Sequence, residues 1–188
     1  MHIRTNKLTR SLTRGLAVFN DINNVLELPE HIIRHSLSIY EYLLRKGLTS
    51  GRKREALIGA CIYASCIAEN YPIILKQLCK AAGVTKKEII RQKKHIKQFV
   101  MINERISAES YIQRYGYLLN LSHEEITTAL KILKTKGSAL KNKMPQIKAA
   151  SCLYIAAQGK KSMREISKKT SLSINAIFSG IKMIKTHL

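Results

Sequence analysis

Two short runs in this chain follow one pattern: ACIYAS at Ala60 to Ser65 and SCLYIA at Ser151 to Ala156, which align Cys61 with Cys152 and Tyr63 with Tyr154. A second pair, LKQLCKAAGVTKKEII and MREISKKTSLSINAIF, aligns Leu75 with Met163, Leu78 with Ile166, Val84 with Leu172 and Ile89 with Ile177. One small change of offset, in the loop after the first run, reconciles the two alignments. Upstream, Leu121-Ser122-His123-Glu124-Glu125-Ile126 echoes Leu28-Pro29-Glu30-His31-Ile32-Ile33. A chain that repeats its pattern in order folds as copies of one supersecondary unit.

Each copy is helical, because the apolar spacing has a helical period and no segment alternates like a strand. A first helix is predicted from about Leu8 to Leu26, with Leu12, Leu16, Phe19, Ile22, Val25 and Leu26 on its apolar side. Pro29 opens a second, in the first turn where proline is tolerated, and this helix stops at Gly47. After the basic turn Gly51-Arg52-Lys53-Arg54 comes ALIGACIYASCIA, apolar or small on nearly every face. A helix of that kind belongs at the centre of a bundle. A short helix from Ile74 to Ala82 ends at Gly83, and Thr85 with Glu88 forms a capping box for a fifth that continues to Phe99. The fold class is therefore all-α, as two tandem five-helix units, 1–104 and 105–188. The short junction around Met101 to Ser107 predicts units that pack on one another.

Charge narrows the partner. Lys and Arg number 33 against 12 Asp and Glu, a net charge of +21. From Ile126 to Leu188 there are 13 basic residues and one acid, Glu165. These cations are interleaved with apolar residues, so they decorate folded helices rather than a tail. Such an excess marks a polyanionic partner, nucleic acid before an acidic membrane. No apolar stretch approaches the ~20 residues needed to span a bilayer. Few aromatics and no Trp argue against single-strand binding by base stacking.

The residues of catalysis are missing. Asp21 and the scattered glutamates form no acid/base pair, and there is no Gly-rich phosphate loop. Cys61, Cys66, Cys79 and Cys152 make no CxxC; the first two and Cys152 sit in apolar helical runs as small buried hydrophobes. His31 and His35 share a helix face at a spacing that could hold a metal, but no third ligand lies nearby, so a solvated surface is the expectation. The other histidines, His2, His95, His123 and His187, are dispersed. Tyr63 and Tyr154 are expected in the cores. No enzyme, cofactor or metal is expected, and the free thiols point to a reduced, intracellular setting.

The fourth and fifth helices of each unit have the makings of a helix-turn-helix, in which the second helix enters the major groove. The first copy supplies Gly83 for the turn, Thr85 for the cap, and Lys86, Lys87, Arg91, Lys93, Lys94 and Lys97 as donors. The second supplies Ser171, Ser173 as cap, Asn175, Ser179, Lys182 and Lys185. Lys and Arg can neutralise phosphates, while Asn and Arg can also read base edges.

At Gly51-Arg52-Lys53, Tyr63-Ala64-Ser65-Cys66 and Val84-Thr85-Lys86-Lys87-Glu88-Ile89, the chain resembles the core of archaeal transcription factor B and eukaryotic transcription factor IIB. Gly15 to Pro29 resembles that family's first core helix, and Lys143-Met144-Pro145 its Lys-Ser-Pro ahead of the second central helix. The resemblance implies paired cyclin-like repeats that straddle the TATA-binding protein on bent, double-stranded promoter DNA and help assemble the preinitiation complex. By position it makes Arg52, Lys86, Lys87 and Arg91 the DNA-contacting residues of the first repeat, and Lys143, Ser173, Asn175 and Lys182 those of the second. Lys93, Lys94 and Lys97 would face the TATA-binding protein. RNA polymerase is a further implied partner, and the free chain would be a monomer. The implied setting is cytoplasm or nucleoid for an archaeal chain, nucleus or viral factory for a eukaryotic or viral one.

Two departures stand out. The family's zinc-ribbon cysteines have no counterpart in this sequence, which leaves open a fragment of a longer factor, a ribbon on a separate polypeptide, or a ribbon-less regulator that competes with a full-length factor. A cyclin-like kinase regulator, with the same fold, is the other alternative. Where the family's second recognition helix carries Arg-x-Arg, this chain has Phe178 and Gly180. Two bidentate readers, each worth ~1–3 kcal/mol of discrimination, are thus replaced, while the lysines that hold phosphates remain.

Overall fold

The computed structural model describes residues 2–99 and 106–186. The chain divides into two compact units, Met1–Arg105 and Ile106–Leu188, and most of the junction lies outside the described residues. The first unit holds α1 (His2–Leu26), α2 (Glu30–Arg45), α3 (Arg54–Ala68), α4 (Leu75–Ala81) and α5 (Lys86–Ile96). The second holds α6 (Ala108–Leu118), α7 (His123–Lys136), α8 (Pro145–Ala156), α9 (Met163–Thr170) and α10 (Ile174–Lys185), with a 3-10 turn at Gly137–Leu140. The fold is all-α, five helices per unit among the described residues.

In each unit the third helix is the hub. α3 touches α1, α2, α4 and α5, and α8 touches α6, α7, α9 and α10. The sequence dictates this: Ala56 to Cys61 of α3 is buried without a break, and so is Ala149 to Leu153 of α8. Only a helix with small or apolar residues on every side can be surrounded without stranding charge. Around α3 the first core closes with Phe19, Ile22, Ile32, Leu43, Leu78, Ile89 and Ile96. Phe19 meets Tyr40 edge-on, centroids 5.8 Å apart. Cys61 and Cys152 occupy equivalent buried places, and burial pushes both thiols up, Cys152 to about 12. They stay protonated and inert.

Several boundaries differ from expectation. α1 begins at His2, not Leu8, since nothing before Leu8 breaks a helix. Pro29 is the cap of α2 rather than its first-turn residue; its carbonyl accepts from Ile32 and Ile33. α5 ends at Ile96, because the next turn tightens to bonds three residues apart, Phe99 N donating to Ile96 O at 2.9 Å. Tyr63 and Tyr154 are half-buried at the edges of the cores rather than within them. The Tyr63 ring lies under Lys93 Nζ, 5.4 Å from its centroid.

The caps follow from short-range sequence. Ser122 and Glu125 form a capping box on α7 like that of Thr85 and Glu88 on α5. Ser107, Ser162 and Ser173 each accept from the backbone N–H three residues on. These serines satisfy donors that a helix start would otherwise leave open.

Candidate nucleic-acid interface

α4 and α5 are joined by a turn that needs a left-handed residue, and Gly83 supplies it at φ +61°. Val84 N then donates to Cys79 O at 3.0 Å, closing the end of α4. Thr85 Oγ1 accepts from Glu88 N at 3.2 Å, while Glu88 Oε2 accepts from Thr85 N at 2.7 Å. The bond from Thr85 N, with a second that Thr85 Oγ1 donates to the same Oε2 at 2.8 Å, holds the Glu88 carboxyl below the usual carboxylate range, helped by Lys53 Nζ 3.5 Å away. The one acid of the helix is therefore consumed by its own cap.

What remains on the outside of α5 is cationic. Ile89, Gln92 and Ile96 face the core, so Lys86, Lys87, Arg91 and Lys94 come together on the opposite side, with Ile90 half-buried among them. These five residues border one surface recess. Lys97 is exposed past the helix end, whereas Lys93 is half-buried on the Tyr63 side.

Arg52 has a different place from the lysines. It is half-buried, with Nε donating to Leu48 O at 3.2 Å, one terminal nitrogen to Gln92 Oε1 at 3.1 Å and the other meeting His95 Nδ1 at 3.2 Å. Arg52 can only donate, so Nδ1 accepts and Nε2 carries the His95 proton toward Leu48 O, 3.2 Å away. Its guanidinium ties the turn before α3 to the inner side of α5.

The second unit repeats this plan with different chemistry. Ser171 takes the place of Gly83 at φ +57°, a conformation that costs a residue with a Cβ about 1–2 kcal/mol. Ser167 Oγ donates to Leu172 O at 2.6 Å within the same turn. Ser173 caps α10 through Ala176 N at 3.3 Å. Ile177, Gly180, Ile181 and Ile184 face inward; Ile174, Asn175, Phe178, Lys182 and Lys185 face outward. Lys143, which stands two residues before α8 as Arg52 stands two before α3, donates from Nζ to Ser179 Oγ at 2.9 Å.

Gly180 is a packing position. A Cβ built there would lie 2.2 Å from Ser151 Oγ and 3.1 Å from Ser151 Cβ. Ser151 is fully buried and donates to Ile177 O at 3.2 Å. α10 thus rests directly on α8, and no arginine could occupy this place without prising them apart. Of the two positions where the resemblance puts an arginine, only Phe178 faces outward.

Comparison with known proteins agrees with this architecture. The transcription factor TFIIB repeat matches the chain twice, over residues 8–99 and 102–185. The chain belongs to the TFIIB repeat family. It is 31% identical over 166 residues to the transcription initiation factor IIB of Pyrococcus abyssi, covering 84% of this chain and 55% of the relative. Transcription initiation factor IIB of Ignicoccus hospitalis is 33% identical over 156 residues, 81% of this chain and 49% of its own. Transcription initiation factor IIB 2 of Thermoplasma volcanium is 32% identical, covering 81% and 50%. The chain spans about half the length of the curated relatives it matches. Family members of this kind are transcription factors and not enzymes.

Within this TFIIB-repeat chain, the residues singled out from sequence fall into three groups. Lys86, Lys87, Arg91 and Lys94 share one outward face, and Asn175 and Lys182 share another, with Ser173 at its capped end. Arg52 and Lys143 bridge to α5 and α10 from the turns before the hubs. Lys93 and Lys97 lie off the main α5 face. Sequence reasoning missed Gln92 and His95, the inner partners of Arg52, and Ile174, the outward neighbour of Phe178. A buried glutamine between Ile89 and Ile96 in the core register was the available signal for the first.

Proposed function

We propose that this chain docks on duplex promoter DNA together with a TATA-binding protein, as the core of a general transcription initiation factor. The observation that carries this reading is the outward face of α5, where Lys86, Lys87, Arg91 and Lys94 lie together and the helix's one carboxylate is bound into its cap. Membership of the TFIIB repeat family supports it, because the relatives named above are initiation factors. Cations spaced along one helix face can each neutralise a phosphate, and the release of counterions supplies affinity for any sequence.

In this reading Lys86, Lys87 and Arg91 contact the duplex, and Arg52 acts by bracing α5 against the turn beneath it. Lys93, Lys94 and Lys97 extend the positive surface toward the TATA-binding protein. On the second unit Ser173, Asn175 and Lys182 face the duplex, with Lys143 alongside. The free chain is a monomer, RNA polymerase joins the DNA-bound complex, and the setting is wherever the template lies inside the cell.

The test is a mobility-shift assay on TATA-containing duplex with the cognate TATA-binding protein. A slower ternary band that vanishes when Lys86, Lys87 and Arg91 are all changed to Ala is the expected result. A chain that captures a kinase and forms no ternary band would refute the reading.

A further inference from the structure

Equivalent outward positions of the two recognition helices carry different chemistry. Counting from the caps Thr85 and Ser173, Lys86 corresponds to Ile174, Lys87 to Asn175, Ile90 to Phe178 and Lys94 to Lys182. α5 presents cations from its first turn onward. On α10 the cations, Lys182 and Lys185, are confined to the C-terminal half, and the N-terminal half presents Ile174, Asn175 and Phe178. Phe178 is 54% exposed and Ile174 39%. One turn apart, they form an apolar step with an amide beside it.

We infer that Phe178, with Ile174, reads the 5-methyl groups of thymine in the major groove, so that the second unit selects T-rich duplex through apolar contact. This rests on the reading that α10 enters the groove. The N-terminal residues of a recognition helix are those that approach base edges. The apolar feature on the floor of the major groove is the thymine methyl, and a Phe side chain is among the groups that contact it. Lys182 and Lys185, a turn or more further along, and Lys143 beside Ser179 would lie toward the phosphates that flank such a contact. A protein partner fits this face poorly, because lysine is depleted from protein interfaces. Two side chains also fall far short of the about 800 Å² per partner that a stable interface buries.

The experiment measures affinity of the full chain for a duplex carrying a T·A run and for the same duplex with deoxyuridine in place of thymidine, which deletes only the methyls. A second pair compares cytosine with 5-methylcytosine, which adds the same methyl without A/T groove shape. The wild-type chain should bind the methylated member of each pair about three- to tenfold more tightly. Phe178→Ala should bind both members alike, with the wild-type salt dependence and an unchanged helical circular-dichroism spectrum; Phe178→Leu should keep part of the preference. Equal wild-type binding to both members, with steep salt dependence, would overturn methyl reading and leave DNA docking standing. So would a Phe178→Ala chain that keeps the preference. No salt-dependent duplex binding at all would overturn both.

Discussion

Arg52 donates to Gln92 Oε1 at 3.1 Å, joining the turn before the first hub helix to the buried side of α5. Lys143, the corresponding residue of the second unit, donates instead to Ser179 at the half-buried margin of α10. The same bridge thus runs to the core in one copy and along the rim in the other. Arg52 ties down the cationic face of α5 from within, whereas Lys143 lies at the margin of α10 beside exposed Phe178.

Arg52→Ala is expected to destabilise the first unit by about 1–3 kcal/mol, because it strands the carboxamide of buried Gln92. Gln92→Leu in the same chain should recover much of that loss, since the buried carboxamide that Arg52 leaves unpaired is then gone, while His95 is only half-buried and can turn to water. Urea unfolding of the two single variants and the double variant measures the coupling. Additive losses would mean that the bond does not hold the turn to α5.

The contact of Gly180 with Ser151 makes a second prediction. Gly180→Ala should cost about 1–3 kcal/mol by overpacking, and Ser151→Ala alone should cost about 1 kcal/mol through its lost bond to Ile177 O. Combined, the two should cost less than their sum, because removing the hydroxyl clears the 2.2 Å approach. Gly180→Arg should unfold the second unit rather than add a base reader, as seen by loss of its cooperative unfolding transition.

Most of this fold was legible because its signals are local. The apolar run Ala56 to Ile62 could only be a hub, and Thr85 with Glu88 could only start a helix. The outward cations of α5 followed from the helical period alone. What could not be read was where long side chains end. Arg52 sits in a basic turn and looked like a phosphate ligand, yet its partners Gln92 and His95 lie 40 and 43 residues away. Gly180 looked like a missing arginine, and only the approach of α8 gives it a reason. Phe178 looked like a loss, and its exposure makes it a surface.

Acid should weaken both capping boxes. Backbone and side-chain bonds from Thr85 lower Glu88; for Glu125 the Lys160 ammonium at 2.9 Å is the larger cause, with Ser122 N second. A carboxyl depressed on folding contributes fully above its unfolded value and loses that contribution as pH falls through the lower, folded one. The stability of the wild-type chain should therefore decline as pH drops below the ordinary glutamate value of 4.5. The Glu88→Gln, Glu125→Gln chain should show a flatter decline across the same window. Matching profiles in thermal melts would show that these caps do not couple to pH.

The central claim, that the α5 face holds duplex phosphates, is tested most directly by the salt dependence of duplex affinity. Binding of wild-type chain and of the Lys86, Lys87, Arg91 triple-alanine variant would be measured across a range of salt concentrations. Each lost phosphate contact should reduce the slope of log affinity against log salt by about 0.9, so the variant's slope should be shallower by roughly 2.7 on every sequence tried. A steep wild-type slope that the triple substitution leaves unchanged would contradict the account.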